Sequence, residues 1–130
     1  MKIVMKTKTF DRWAKKIVAT SALCNAAREI DLGIYEADLG DGICKKRVPI
    51  AGQGKSGGIR TIVAKKNKDA IVFIVGREKS SPGSDFTERE QEAAGIIARS
   101  FEAADIKTLR ELACLGTLKE LNCNEQENDY

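Results

Sequence analysis

Residues 44 to 61 read Cys44-Lys45-Lys46-Arg47-Val48-Pro49-Ile50-Ala51-Gly52-Gln53-Gly54-Lys55-Ser56-Gly57-Gly58-Ile59-Arg60-Thr61, a basic strand, a glycine-rich loop and a second strand that carries an arginine. Backbone amides in such a loop approach phosphate oxygens without side-chain obstruction, and Lys46, Arg47, Lys55 and Arg60 supply the charge that a polyanion attracts. These residue types at this spacing point to a phosphate ligand, with RNA as the first expectation.

A nucleotide-binding P-loop is the obvious rival, because Gly54-Lys55-Ser56 reproduces the end of that motif. The motif G-x-x-x-x-G-K-[ST] needs glycine where Pro49 stands, and a helix must follow so that its N-terminus faces the phosphates. Here Gly57-Gly58 lead into the β-branched run Ile59 to Ala64, which reads as strand. The NTPase reading fails on both flanks.

The chain has no histidine, so serine-histidine and cysteine-histidine nucleophile systems are excluded. Acid-base chemistry falls to carboxylates, a tyrosine or a lysine of shifted pKa, and guanidinium groups can stabilise developing charge without moving a proton. Cys24, Cys44, Cys114 and Cys123 are widely spread, with no C-x-x-C pair. No metal site and no cofactor are expected, and the four cysteines read as reduced thiols, Cys24 and Cys114 packed in helices.

Net charge is a mild +3 over 130 residues, but the lysines and arginines concentrate before Lys79 and the chain turns acidic from Glu88 onward. No apolar run approaches the ~20 residues of a membrane span, and the N-terminus lacks the apolar region of a secretory signal. The reading is a cytoplasmic protein with no membrane partner. One domain over residues 1–121 is expected, followed by an acidic tail, 122–130, that lacks apolar periodicity and is expected to be disordered.

The elements that must hold the basic residues follow from periodicity. Ile3 and Met5 alternate with Lys2, Lys6 and Lys8, as in an edge strand. Phe10, Trp13, Ala14, Ile17 and Val18 form a helical stripe with Trp13 in the core, and Ser21 is placed to cap a second helix that Gly33 ends. Asp41-Gly42 signals a hairpin before a strand from Ile43 to Ile50. Strands at Ile59 to Ala64 and Ala70 to Gly76 are joined by a turn at Lys65 to Asp69, and the second is apolar on both faces. Thr87 with Glu90, and Thr108 with Glu111, read as capping boxes of two further helices. The expected fold is α+β: an N-terminal strand and helical hairpin, a three- to four-stranded antiparallel sheet, and C-terminal helices, with the helices on one sheet face and the basic residues on the other.

The stretches Phe10-Asp11-Arg12-Trp13-Ala14-Lys15-Lys16, Glu36-Ala37-Asp38-Leu39-Gly40, Lys45 to Thr61 and Phe73 to Lys79 resemble the RelE/ParE toxins of type II toxin-antitoxin modules, and in particular their HigB-like branch. The resemblance implies a RelE-like fold and a toxin that arrests translation as a ribosome-dependent, metal-independent endoribonuclease (an mRNA interferase), in which the ribose 2′-hydroxyl attacks the adjacent phosphate. Its implied partners are mRNA, the ribosome and a cognate antitoxin of helix-turn-helix type. On this resemblance Arg60 and Arg77 are assigned to the scissile phosphate, Lys79 to proton transfer, and Lys46, Arg47, Lys55 and Lys65 to the RNA backbone. Where relatives read Phe-Leu-Tyr-Gly-Phe-Ala-Lys, this chain has Phe73-Ile74-Val75-Gly76-Arg77-Glu78-Lys79, so the planar Arg77 replaces an aromatic stacking surface. Alternatives are a ParE-like inhibitor of DNA gyrase and a catalytically degenerate nucleic-acid-binding member of the same superfamily.

Overall fold

The computed structural model describes residues 2–50, 57–78 and 85–124. Six strands form one mixed sheet in the order β2-β3-β4-β5-β1-β6: β1 (Ile3–Thr7), β2 (Ala37–Gly40), β3 (Ile43–Pro49), β4 (Gly58–Ala64), β5 (Ala70–Glu78) and β6 (Leu118–Glu120). Helices α1 (Lys8–Ala14) and α2 (Thr20–Asp31) follow β1, and α3 (Glu88–Phe101) and α4 (Ile106–Cys114) precede β6. The fold is therefore α+β as expected, with a larger sheet. β1 is not an edge strand. It runs parallel to β5 on one side and antiparallel to β6 on the other.

Two apolar clusters, one on each sheet face, replace the expected single covered face. Val4, Phe10, Leu23, Ile30, Val48, Ile59 and Phe73 pack under α1 and α2. Met5, Ile43, Ile62, Val72, Ile74, Phe101 and Leu109 pack under α3 and α4. The run Ala70 to Ile74 is buried throughout because it feeds both clusters in alternation.

Local signals explain several element ends. Asp41 and Gly42, at φ 52° and 76°, make the tight turn into β3, a conformation in which both central residues need positive φ. Thr87 and Glu90 form a reciprocal capping box at the start of α3. Ser21 is not a cap: α2 starts after Ala19 without a side-chain cap. Asp105, not Thr108, caps α4, its carboxylate accepting from Thr108 N–H at 2.9 Å. The buried Asn67 closes the far end of α3, its amide donating to the Phe101 and Ala104 carbonyls at 2.7 and 2.8 Å.

Two features decide where the β5 side chains point. Pairing of β4 with β5 passes from Ile62↔Val75 to Val63↔Phe73, so Ile74 is an extra residue in a bulge. Beyond it, Gly76 lies beneath Trp13: a Cβ there would stand 2.1 Å from the indole Cζ3. Trp13 thus packs directly against β5 at Gly76 and edge-on to Phe10, ring centroids 5.9 Å apart, a core role as its helical stripe indicates.

Among the cysteines the structure departs from expectation. Cys24 in α2 and Cys123 after β6 form a disulfide across a Cα separation of 5.7 Å, while Cys44 and Cys114 are free. Cys24 is packed in α2 as expected, but Cys114 is exposed at the end of α4. Residues 99 apart in sequence meet only because β6 returns the chain to the β1 edge beside α2. The first residues assigned to the acidic tail are accordingly tied to the domain.

Candidate functional site

Strand register assembles three arginines. Arg47 on β3 pairs with Arg60 on β4, and Arg60 pairs with Arg77 on β5. With adjacent strands about 4.8 Å apart, the three stems cross about 10 Å of sheet in one line. All three share the face on which Ile62 and Ala64 meet the α3 cluster, but they lie past its apolar part, toward the Gly58 end of β4. Like charges directly opposite one another on a sheet destabilise it, so this row demands counter-charge or an anionic ligand.

Part of the counter-charge comes from the start of α3. Arg77 Nη2 lies 3.2 and 3.3 Å from the two carboxylate oxygens of Glu90, and Lys45, one pleat along β3 from Arg47, lies 2.9 Å from Asp85 Oδ2. The Asp85 carboxyl is held below the ordinary carboxylate range, first by the hydrogen bond from Lys45, then by the Phe86 N–H, with Arg60 contributing charge. Glu90 is also lowered, chiefly by the Thr87 N–H and then by Arg77. Both carboxylates are thus ionised at neutral pH and sit at the edge of the row. Sequence reading missed Lys45, Asp85 and Glu90. Alternation along β3 puts Lys45 on the Arg47 face and was the available signal for it.

The remaining sequence assignments separate from the row. Lys46 points to the opposite face, is 4% exposed, lies 3.0 Å from Glu29 Oε1 and donates to the Ile34 carbonyl at 3.0 Å. It clamps α2 and the following loop onto β3. Lys65 lies at the far end of β4, about 17 Å along the strand from Arg60, 3.4 Å from Asp38 and over the Tyr35 ring at 5.4 Å. Lys55 and Lys79 fall outside the described residues. Arg47, Arg60 and Arg77 are the assigned residues that the fold brings together.

Such an arrangement suits an anion with several oxygens. Guanidinium groups are planar, permanently charged forks that bind phosphate through paired N–H donors. Cys44 adds no nucleophile: burial pushes its thiol up to about 12. Among the described residues no helix is long and apolar enough to cross a membrane.

Comparison with curated proteins finds no match. The family described as the RelE toxin of the RelE/RelB toxin-antitoxin system matches residues 1–121, which takes in every strand and helix of the sheet and the whole arginine row, and the chain belongs to that toxin family.

Proposed function

We propose that this protein is the toxin of a type II toxin-antitoxin pair and that it arrests translation by cutting mRNA at the Arg47-Arg60-Arg77 row. The observation that carries the reading is the direct opposition of these arginines on three adjacent strands, a costly arrangement that a phosphodiester backbone relieves. The RNA phosphate displaces the Glu90 and Asp85 carboxylates from Arg77 and Lys45. Attack of the ribose 2′-hydroxyl on the adjacent phosphate then builds negative charge on the phosphoryl oxygens, which Arg60, at the centre of the row, stabilises. The P–O5′ bond breaks to leave a 2′,3′-cyclic phosphate, and the departing 5′-oxygen takes a proton. Lys55 and Lys79 complete the reading as backbone contact and proton-transfer group. Lys46 and Lys65, already engaged by Glu29 and Asp38, serve the scaffold that holds the row. The toxin family implies a cognate antitoxin, and the helix-turn-helix type, the ribosome as the place of cleavage, the HigB-like branch and the cytoplasm belong to the same proposal.

The test is cleavage of a defined message in a translating extract, with Arg60→Ala beside the natural chain and a purified gyrase supercoiling assay in parallel. Cleavage that disappears with Arg60→Ala supports the proposal. Inhibited supercoiling with intact message supports the gyrase reading, and inactivity in both, from a folded protein, supports a degenerate member.

A further inference from the structure

The Cys24–Cys123 disulfide is asymmetric in its surroundings. Cys24 is 1% exposed within the α2 core, whereas Cys123 is only partly buried and its neighbours Asn122 and Asn124 are exposed. Cys24 and Cys123 both line an open groove of about 800 Å³ between α2 and the C-terminal segment, whose apolar wall includes Ala27, Leu32, Ile71 and Leu121. Of the two, Cys123 is the more accessible to a small thiol in this groove.

The bond also closes a clasp. β6 pairs with β1 over only three residues, Met5↔Glu120, Lys6↔Lys119 and Thr7↔Leu118, and the Leu121 N–H donates to the Val4 carbonyl at 2.8 Å. Three-residue strands gain little pairing of their own. The covalent link to α2, one turn before the Arg28 and Glu29 positions, limits how far this strand can leave the β1 edge.

We propose that Cys123 is a thiol-exchange site for low-molecular-weight thiols of the glutathione class, and that exchange there opens the β6 clasp. The thiolate of the small thiol attacks Cys123 Sγ. The Cys24–Cys123 bond breaks, a mixed disulfide forms on Cys123, and the electron pair leaves on Cys24 Sγ, which takes a proton in its apolar surroundings. A second small thiol attacks the outer sulfur of the mixed disulfide and frees the Cys123 thiol. One protein disulfide and two small thiols thus give two protein thiols and one small-molecule disulfide. Exchangeable disulfides of this kind serve redox sensing where the surroundings are reducing. The groove reaches Ile71 near the start of β5, about 20 Å along the strand from Arg77, so the site acts on the β1 edge and does not depend on the RNA reading.

The experiment uses the full chain carrying Cys114→Ser, which removes the exposed free thiol. Air-oxidised protein should yield one titratable thiol, Cys44, after denaturation. Native protein treated with reduced glutathione and quenched by alkylation should carry the glutathionyl group on Cys123. Hydrogen exchange at Lys119 and Leu121 should then accelerate at least about tenfold, with β3 and β4 amides unchanged, and an added Cys123→Ser change should give the fast rate without glutathione. Three titratable thiols in the oxidised protein, an adduct on Cys24, a disulfide left intact by glutathione, or unchanged exchange at β6 after reduction would each overturn the proposal.

Discussion

Arg60 and Arg77 stand directly opposite one another on β4 and β5, with Arg47 in line on the far side of Arg60. Cross-strand neighbours of like charge repel, and here the central arginine has such a neighbour on both sides. Its attraction to the Asp85 carboxylate offsets part of that repulsion. Arg60→Ala is expected to change stability by no more than about 1 kcal/mol, while growth arrest on expression is lost. Arg60→Lys keeps the charge but not the fork and should lose most of the arrest. Growth curves at matched soluble expression, with urea melts, measure both. Full toxicity of both variants would exclude Arg60 from the site.

Lys46 and Arg47 are adjacent in sequence and should behave in opposite ways. Glu29→Ala leaves the Lys46 ammonium nearly buried with only the Ile34 carbonyl as a described partner, and a loss of about 1–3 kcal/mol is expected. Arg47, exposed at the end of the row, should tolerate alanine without loss of stability but with weaker RNA binding and a shallower salt dependence. Filter binding at several salt concentrations, paired with thermal melts, separates the two. If Lys46→Met weakens RNA binding as much as Arg47→Ala at unchanged stability, the clamp assignment is wrong.

Gly76→Ala tests the contact between α1 and β5. The added methyl would overlap the Trp13 ring, and relief requires Trp13 to swing away or the helix to shift. A cost of about 1–3 kcal/mol is expected, as for other overpacked cores, with a change in tryptophan fluorescence that reports on a single indole. Unchanged emission and stability would show that the ring moves freely.

Acid should loosen the start of α3. Glu90 and Asp85 are both lowered from ordinary values of 4.5 and 3.8. A depressed folded-state pKa means that the contribution is fully present above the ordinary value and is lost as pH falls through the folded one. Stability should therefore be flat from neutrality to about pH 5 and fall below about pH 4.5. Glu90→Gln keeps the shape of the capping box and should flatten part of that fall. An identical acid limb in Glu90→Gln would assign the transition to other carboxylates, among them Asp11, lowered first by its hydrogen bond from Lys6.

Features governed by neighbours in sequence were legible, and those governed by return of the chain were not. The Asp41-Gly42 turn, the Thr87/Glu90 box and the two-faced burial of Ala70 to Ile74 all follow from local rules. The place of β1 was not readable, because its outer partner is a three-residue strand with no periodicity of its own. The same return of the chain brings Cys123 to Cys24. In the site, alternation along β3 sends Lys46 and Arg47 to opposite faces, a separation that the sequence itself makes legible. Membership of Arg77 in the row was not deducible from alternation, because the bulge at Ile74 intervenes.

That bulge makes the arginine row a matter of parity. Counted by twos from Ala70, the α3 side of β5 would receive Val72, Ile74 and then Gly76, and Arg77 would be driven beneath Trp13. One surplus residue reverses the count, giving the glycine to the indole and the arginine to the row. Substitutions within β5 can be absorbed one at a time, but loss or gain of a single residue there exchanges the two at a stroke. The row should therefore tolerate drift in letters and none in length.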